Sequence, residues 1–509
     1  RAGKGVGLVI PSLLTWPGSA IVHDIKGENW DITAGFRSTF SRTLRFDPTC
    51  LTSAAYNPLL EVRRGINEVR DVQNIADILV DPEGSLEKRN HWEKTSHALL
   101  VGAILHVLYA GSNKSLAGVA AFLSNPDETI ENTLNAMMDT PHLGEAGPHP
   151  VVASAARELL NKSDNERSGV LSTAMSFLGL YRDPVIAAVT SHSDWRIAEL
   201  VGGRPTSLYL VVPPSDISRT KPLIRLILNQ IGRRLTEDFD PATKRQRVLF
   251  MLDEFPALGR LDFFESALAF MAGYGLKAFL IAQSLNQIER AYGQNNAILD
   301  NCHVRVAFAT NDERTAKRVS ESLGTTTEQR SMKNYAGHRL SPWLGHLMIS
   351  RSETARALLT PGEILQLPKT DEVVLMSGAP PIKAKKARYY ADRRLQARVV
   401  EAPASCGQRH EPRLPDDWSA LPPVEPDPDL AEEHRRKLDS ANGGLRREPE
   451  LPEHVEVAAK PKAPAAEFEF PDADGADVDH AAAANERIRR TMERSARQAS
   501  LDLGDGIEL

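Results

Sequence analysis

The chain has 509 residues, 41% hydrophobic and 25% charged; that length holds two or three domains, and that balance excludes a fibrous or wholly disordered polypeptide. Its net charge of −6 conceals two parts of opposite sign, because residues 401–509 carry 25 acidic and 14 basic side chains and the remainder 42 and 47. Three cysteines without metal-ligand spacing, Cys50, Cys302 and Cys406, exclude a disulfide framework and suit a reducing compartment, while the mildly basic body is compatible with a nucleic-acid partner without requiring one.

In chain order, Arg1-Ala2-Gly3-Lys4-Gly5-Val6-Gly7 reads as the second half of a Walker A loop. Small residues around a lysine let backbone N–H groups approach phosphate oxygens. Half of that loop and the strand feeding it are expected ahead of Arg1, so the chain reads as N-terminally truncated. Leu8 to Trp16 fits the helix that follows such a loop, Ser19 to Asp24 the next strand, and Leu44 to Asp47 another, ended by Pro48. This alternation predicts an α/β fold with an open parallel sheet and helices on both faces.

From about 69 to 200 the pattern becomes helical: Asn90 to Tyr109, Leu116 to Leu123, Glu128 to Met138, Val151 to Leu160 and Ser168 to Leu178 are apolar-periodic and punctuated by Asn125-Pro126 and Asp183-Pro184. The longest apolar run, Ala98 to Gly111, contains His106 and is too short to span a bilayer. Strands return at Ser207–Val212, Val248–Leu252, Ala278–Ala282, Val304–Ala309 and Val373–Met376. The expected organisation is therefore a nucleotide-binding domain in two parts, 1–68 and 201–400, split by an inserted all-α domain at 69–200. Residues 401–509, with 12 of the 33 prolines, read as a disordered acidic tail. A short amphipathic helix is expected within it from Glu486 to Leu501.

Three strand ends carry candidate chemistry. Val248 to Leu252 runs into Asp253-Glu254, a Walker B pattern; carboxylates at a buried strand's end are costly unless used. In the functional reading Asp253 holds Mg²⁺ through its water shell and Glu254 orients the attacking water; the bland alternative is a strand emerging into a polar loop. Gln283, and Ser284 beside it, follow the run ending Ile281-Ala282, where ligands bind parallel sheets; either can sense a γ-phosphate or merely solvate a strand end. Asp24-Ile25-Lys26-Gly27-Glu28-Asn29 packs charges around a glycine, placing Lys26 or Glu28 near the nucleotide or on a DNA-facing rim, if it is not a plain solvated loop. Gly3, Lys4, Gly5 and Val6 are the expected nucleotide-binding residues, although Gly5 stands where many such loops place a Mg²⁺-binding Ser or Thr. Tyr389-Tyr390 beside Lys383, Lys385, Lys386 and Arg388 suits either nucleic acid or a solvated closing strand.

Taken together with Ile10-Pro11-Ser12-Leu13-Leu14, Val22-His23-Asp24, Tyr56-Asn57-Pro58-Leu59, Leu252 to Gly259 and Phe308 to Asp312, these motifs resemble the TraG-type conjugative coupling proteins of type IV secretion systems, TrwB-like members of the FtsK/HerA motor group. The resemblance covers roughly 1–392. It implies a RecA-like P-loop sheet and an all-α domain facing the cytoplasm. It also implies an N-terminal anchor in the bacterial inner membrane, on whose cytoplasmic face the rest would lie. Assembly as a homo-hexamer with ATP and Mg²⁺ between subunits is implied too, as is coupling of relaxosome-bound single-stranded DNA, or effector proteins, to the secretion channel. A glycine after the lysine is usual in this branch, and Arg260 and Lys277 are candidates for an arginine finger. Truncation of the loop implies weak ATP binding and impaired turnover by this chain alone. The rival readings are a recruitment platform for the relaxosome with little turnover, and a DNA translocase outside secretion.

Overall fold

A computed structural model describes residues 3–84, 89–237, 245–336, 346–404, 415–432 and 436, with backbone alone for 262, 332–336 and 346–350. Cys406 and the segment expected as a helix at Glu486 to Leu501 lie outside the described residues. The loop residues Gly3 and Lys4 lead into a wide helical turn, Gly5–Val9, and then helix α1, Ile10–Thr15. Strand β1 (Ser19–Asp24), helix α2 (Glu28–Ser38) and strand β2 (Arg42–Phe46) follow. Strands β3 (Thr206–Val211), β4 (Val248–Leu252) and β5 (Leu276–Leu280) complete a five-stranded sheet in the order β2-β3-β1-β4-β5, parallel throughout.

Every residue of β1, β3 and β4 is buried, as expected of interior parallel strands with both faces covered. Alternation sorts their side chains into two layers. Ala20, Val22, Tyr209, Leu249 and Met251 pack with α1 and α2, whereas Ile21, Leu208, Leu210, Phe250 and Leu252 join the larger core beneath the inserted helices. Arg37 of α2 is fully buried, and its guanidinium donates to the carbonyls of Leu13, Trp16 and Gly18 and to Ser207 Oγ at 2.7–2.9 Å. A buried guanidinium is tolerable only when so completely satisfied. Here it ties the end of α1 to the start of β1 and so fixes the helix that carries the glycine-rich loop.

Between β2 and β3 the described chain is helical: α3 (Glu68–Val80), α4 (His91–Ala110), α5 (Leu116–Leu123), α6 (Ile130–Asp139), α7 (Pro150–Leu160), α8 (Asp164–Leu178) and α9 (Pro184–Val189). Helix α4 starts on a capping box formed by Asn90 and Glu93 and is buried almost without break from Leu99 to Ala110, which marks it as the central helix of this layer. Beyond β3 come α10 (Ile217–Leu235), α11 (Asp262–Ala267) and α12 (Leu285–Tyr292). No helix among the described residues is long and apolar enough to cross a membrane.

The runs expected as strands at Val304–Ala309 and Val373–Met376 are strands, and they lie outside the five-stranded parallel sheet. Strands β6 (Val304–Ala307), β9 (Asp371–Met376) and β10 (Ile382–Lys385) form a separate antiparallel sheet in the order β10-β9-β6. Between them stand α13 (Glu313–Leu323), an antiparallel hairpin of β7 (Thr325–Ala336) and β8 (His346–Ala357), and α14 (Pro361–Leu365). An apolar run of five residues carries no record of its pairing direction, which is decided by the connection that precedes it.

Of the segment expected as a disordered tail from 401, residues 401–404, 415–432 and 436 are described. After α15 (Arg393–Gln396), residues 398–402 run over α1 and α2. Arg398 donates to the Leu14 carbonyl at 2.7 Å, and a Cβ at Gly35 would stand 2.2 Å from the Val400 carbonyl, so only glycine admits that crossing. Residues 415–432 then dock on the helical layer. Trp418 is completely buried against Tyr109 and donates to the Val62 carbonyl at 2.7 Å, while the N–H groups of Val424 and Asp427 donate to the Ala110 and Asp139 carbonyls. Composition averaged over 109 residues hid one indole, and an indole with its N–H satisfied anchors a short segment. Replacing Trp418 with alanine should destabilise the protein by about 3 kcal/mol, read as a lowered thermal midpoint; an unchanged midpoint would show that the segment contributes nothing to stability.

Candidate functional site

The carboxyl ends of β1, β4 and β5 face the glycine-rich turn, and there the expected site residues meet. Gly3 takes a φ of +75°, a conformation open to glycine at no steric cost, and its carbonyl accepts from Gly7 N–H at 2.9 Å. Lys4, Gly5 and Val6 occupy the first turn of the helix, whose leading N–H groups lack helical acceptors and form an anion cradle. A Cβ at Gly5 would meet nothing within 4 Å, so packing does not exclude the Ser or Thr often found there.

Lys4 Nζ donates to the Ala282 carbonyl at the end of β5. Burial pulls its pKa down, and the nearby Glu254 and Asp253 carboxylates oppose that shift. Across the turn, Gln283 Nε2 donates to Glu254 Oε1 at 2.8 Å, and Gln283 N–H donates to Gln287 Oε1 at 2.8 Å. Lys4, Asp253, Glu254 and Gln283 thus form one electrostatic group, although 278 residues separate Lys4 from Ala282. Gln283 was expected to face a phosphate; its amide here holds the carboxylate of Glu254.

Asp253 has its pKa raised, first by burial and then by the Glu254 charge beside it, with the Glu254 N–H and Lys4 pulling the other way and Glu28 adding to the rise. Among the described residues, the carboxylates of Asp253, Glu254 and Glu28 outnumber the Lys4 ammonium acting on them, a balance that a divalent cation would redress. No cluster of three or more His, Cys, Asp or Glu able to cage a metal exists among the described residues. Mg²⁺ needs no such cage, because it keeps several waters and takes one or two carboxylates plus substrate phosphates. Asp253, the carboxylate expected to hold it, directly follows β4.

The neighbouring strand end serves structure. Asp24 accepts from the N–H groups of Lys26 and Trp30 at 3.3 and 2.9 Å and so caps α2, while burial lifts its pKa to about 6. Glu28 and Lys26 are both exposed, and Glu28 lies close enough to Asp253 to affect it. Of the arginine-finger candidates, Arg260 pairs with Glu265 at 3.3 Å, and Lys277 lies exposed near the start of β5, away from the carboxyl ends. Of the basic residues near Tyr389, Lys383 and Lys385 pair with Asp371, and Lys386 packs its ammonium over the Phe308 ring. Sequence reasoning gave no role to His23, although a histidine directly after the apolar stretch Ala20–Val22 of a buried strand was the signal available. Its ring is buried and its Nδ1 bonds the Asp253 carbonyl at 2.7 Å.

The family described as Type IV secretory system Conjugative DNA transfer matches residues 1–409. The chain is 42% identical over 435 residues to conjugal transfer protein TraG of Escherichia coli, covering 79% of this chain and 68% of that protein. It is 33% identical over 412 residues to protein VirD4 of Rhizobium rhizogenes, covering 78% and 58%. Among solved structures, the plasmid coupling protein TrwB in complex with ADP and Mg²⁺ shares its fold with a TM-score of 0.55 at 16% identity, over 76% of this chain and 84% of that one.

Proposed function

We propose an ATP-hydrolysing coupling role for this chain, which belongs to the type IV secretory system conjugative DNA transfer family. The observation carrying it is the convergence of Lys4, Asp253, Glu254 and Gln283 on one turn. TrwB, of like fold, holds ADP and Mg²⁺, and these residues fit the same ligands. The Lys4 ammonium and the N–H groups of Gly5 and Val6 bind and neutralise the β- and γ-phosphates. Mg²⁺, when bound, supplies further charge stabilisation to the phosphate oxygens, and Asp253 is its protein anchor. Glu254 orients water for attack, and Gln283 keeps that carboxylate in place until a γ-phosphate competes for its amide. Phosphoryl transfer needs positioning and charge stabilisation rather than covalent chemistry from the protein, and these groups provide both.

The cargo in this reading is conjugative DNA, delivered by a relaxosome to the secretion channel of the inner membrane, with the protein working as a homo-hexamer. ATP hydrolysis by the full-length protein, measured with and without single-stranded DNA, tests it. Turnover raised by DNA supports the motor. Absence of turnover in folded, assembled protein would reject it in favour of a recruitment platform that binds the relaxosome without hydrolysis.

A further inference from the structure

Glu254 is the one non-glycine residue among those described with a positive φ, at φ 50° and ψ 44°. Side-chain-bearing residues adopt this left-handed region uncommonly, and at functional sites such conformations persist only where the surroundings impose them. The obvious escape is a flip of the peptide joining Asp253 to Glu254, which would return Glu254 to negative φ. That peptide is held at both ends. Its N–H donates to Asp253 Oδ1 at 3.1 Å, and its carbonyl bonds His23 Nδ1 at 2.7 Å. The next N–H, of Phe255, donates to the Ile281 carbonyl at 2.9 Å and anchors the chain beyond the turn.

We propose that His23 is a positioning residue for Glu254: by holding the Asp253 carbonyl it fixes the 253–254 peptide plane, and so the direction in which the Glu254 carboxylate leaves the strand. A carbonyl only accepts, so Nδ1 carries the proton and the ring is the Nδ1–H tautomer. The placement follows from register. His23 pairs with Leu252 in the parallel ladder between β1 and β4, one residue before the turn, so its side chain reaches the first carbonyl beyond the ladder. Asp24, the next residue, is committed to capping α2, which leaves His23 as the β1 side chain that braces the turn. Lengthening or losing this bond frees the peptide to flip. The carboxylate then departs from the geometry in which Gln283 Nε2 reaches it at 2.8 Å.

The inference rests on the reading of Glu254 as the water-orienting group, and the test separates the two. Full-length protein carrying His23→Phe or His23→Leu lacks the donor, whereas His23→Asn keeps an N–H able to reach the same carbonyl. Removing a group that orients a catalytic side chain costs about 10- to 100-fold in activity. The expected result is a kcat lowered by that factor in whichever donor-less variant folds, with KM for ATP and the melting temperature near those of the parent, and with most of the loss recovered in His23→Asn. Parental kcat in both donor-less variants overturns the inference, as does a loss of kcat that His23→Asn fails to recover. Glu254→Gln measured in parallel locates the failure. If that variant is inactive while His23→Phe is silent, only the role of His23 falls; if Glu254→Gln retains turnover, the reading of Glu254 falls and this inference with it.

Discussion

Glu254→Gln should lower ATP turnover by about 10³-fold while leaving nucleotide binding close to that of the parent. The substitution keeps the size of the side chain and an oxygen able to accept the 2.8 Å bond from Gln283. It removes the negative charge that polarises a water. It also removes the charge that raises the Asp253 pKa from the adjacent position, so the Mg²⁺ anchor is undisturbed or becomes more readily ionised. Binding, carried by Lys4 and the loop N–H groups, has no part in the change. Steady-state turnover and the affinity for a fluorescent ATP analogue, measured side by side, check the separation. Turnover within about tenfold of the parent would remove Glu254 from the chemistry; a parallel collapse of affinity would make its role one of binding.

Lys4→Ala should abolish both. Among the described residues its ammonium is the cation that interacts with both Asp253 and Glu254, and the proposed reading puts the phosphate chain beside it. Losing a charged donor in a water-poor site costs about 10³-fold in rate. Weaker binding adds to this, because the carboxylates of Asp253 and Glu254 then face the phosphates without compensation. Stability should change little, since Lys4 lies on a partly exposed turn and its own bond goes to a strand-end carbonyl. DNA-stimulated hydrolysis, nucleotide affinity and the thermal midpoint are the readouts. Retained affinity with retained hydrolysis would place the phosphates elsewhere.

These expectations combine local motifs with long-range geometry, and the two were unequally legible. The Walker A and B stretches could be read directly because their chemistry is local: a lysine flanked by glycines, and an apolar run ending in two carboxylates. The strands β1, β3 and β4 were nearly as plain, each built around an apolar stretch and buried along its whole length, as interior parallel strands are. Gln283 was legible as a polar residue at a strand end, but its partner was not. Whether its amide meets a phosphate or Glu254 depends on the spacing of β4 and β5 and on a turn with positive φ at a glutamate, which no propensity anticipates.

The docked segment at 415–432 and the antiparallel sheet of β6, β9 and β10 were hidden for related reasons. A proline-rich acidic stretch lacks the apolar periodicity that marks an element, and its attachment rests on Trp418 and a few backbone bonds. Short strands carry burial but not direction. His23 stood in the sequence as an oddity within a buried strand; only the parallel register of β1 against β4 showed that its Nδ1 meets the Asp253 carbonyl.

By itself the sequence determined the α/β class and the helical stretch between β2 and β3, and it carried the motifs from which Lys4, Asp253 and Glu254 are proposed as a phosphate and metal group, because periodicity and residue chemistry are properties of short segments. Only the tertiary structure decided which residues brace that group, which sheet each late strand joins, and how residues 398–402 and 415–432 pack. Those outcomes depend on contacts between positions hundreds of residues apart, and their free energies arise only when the intervening chain has already folded.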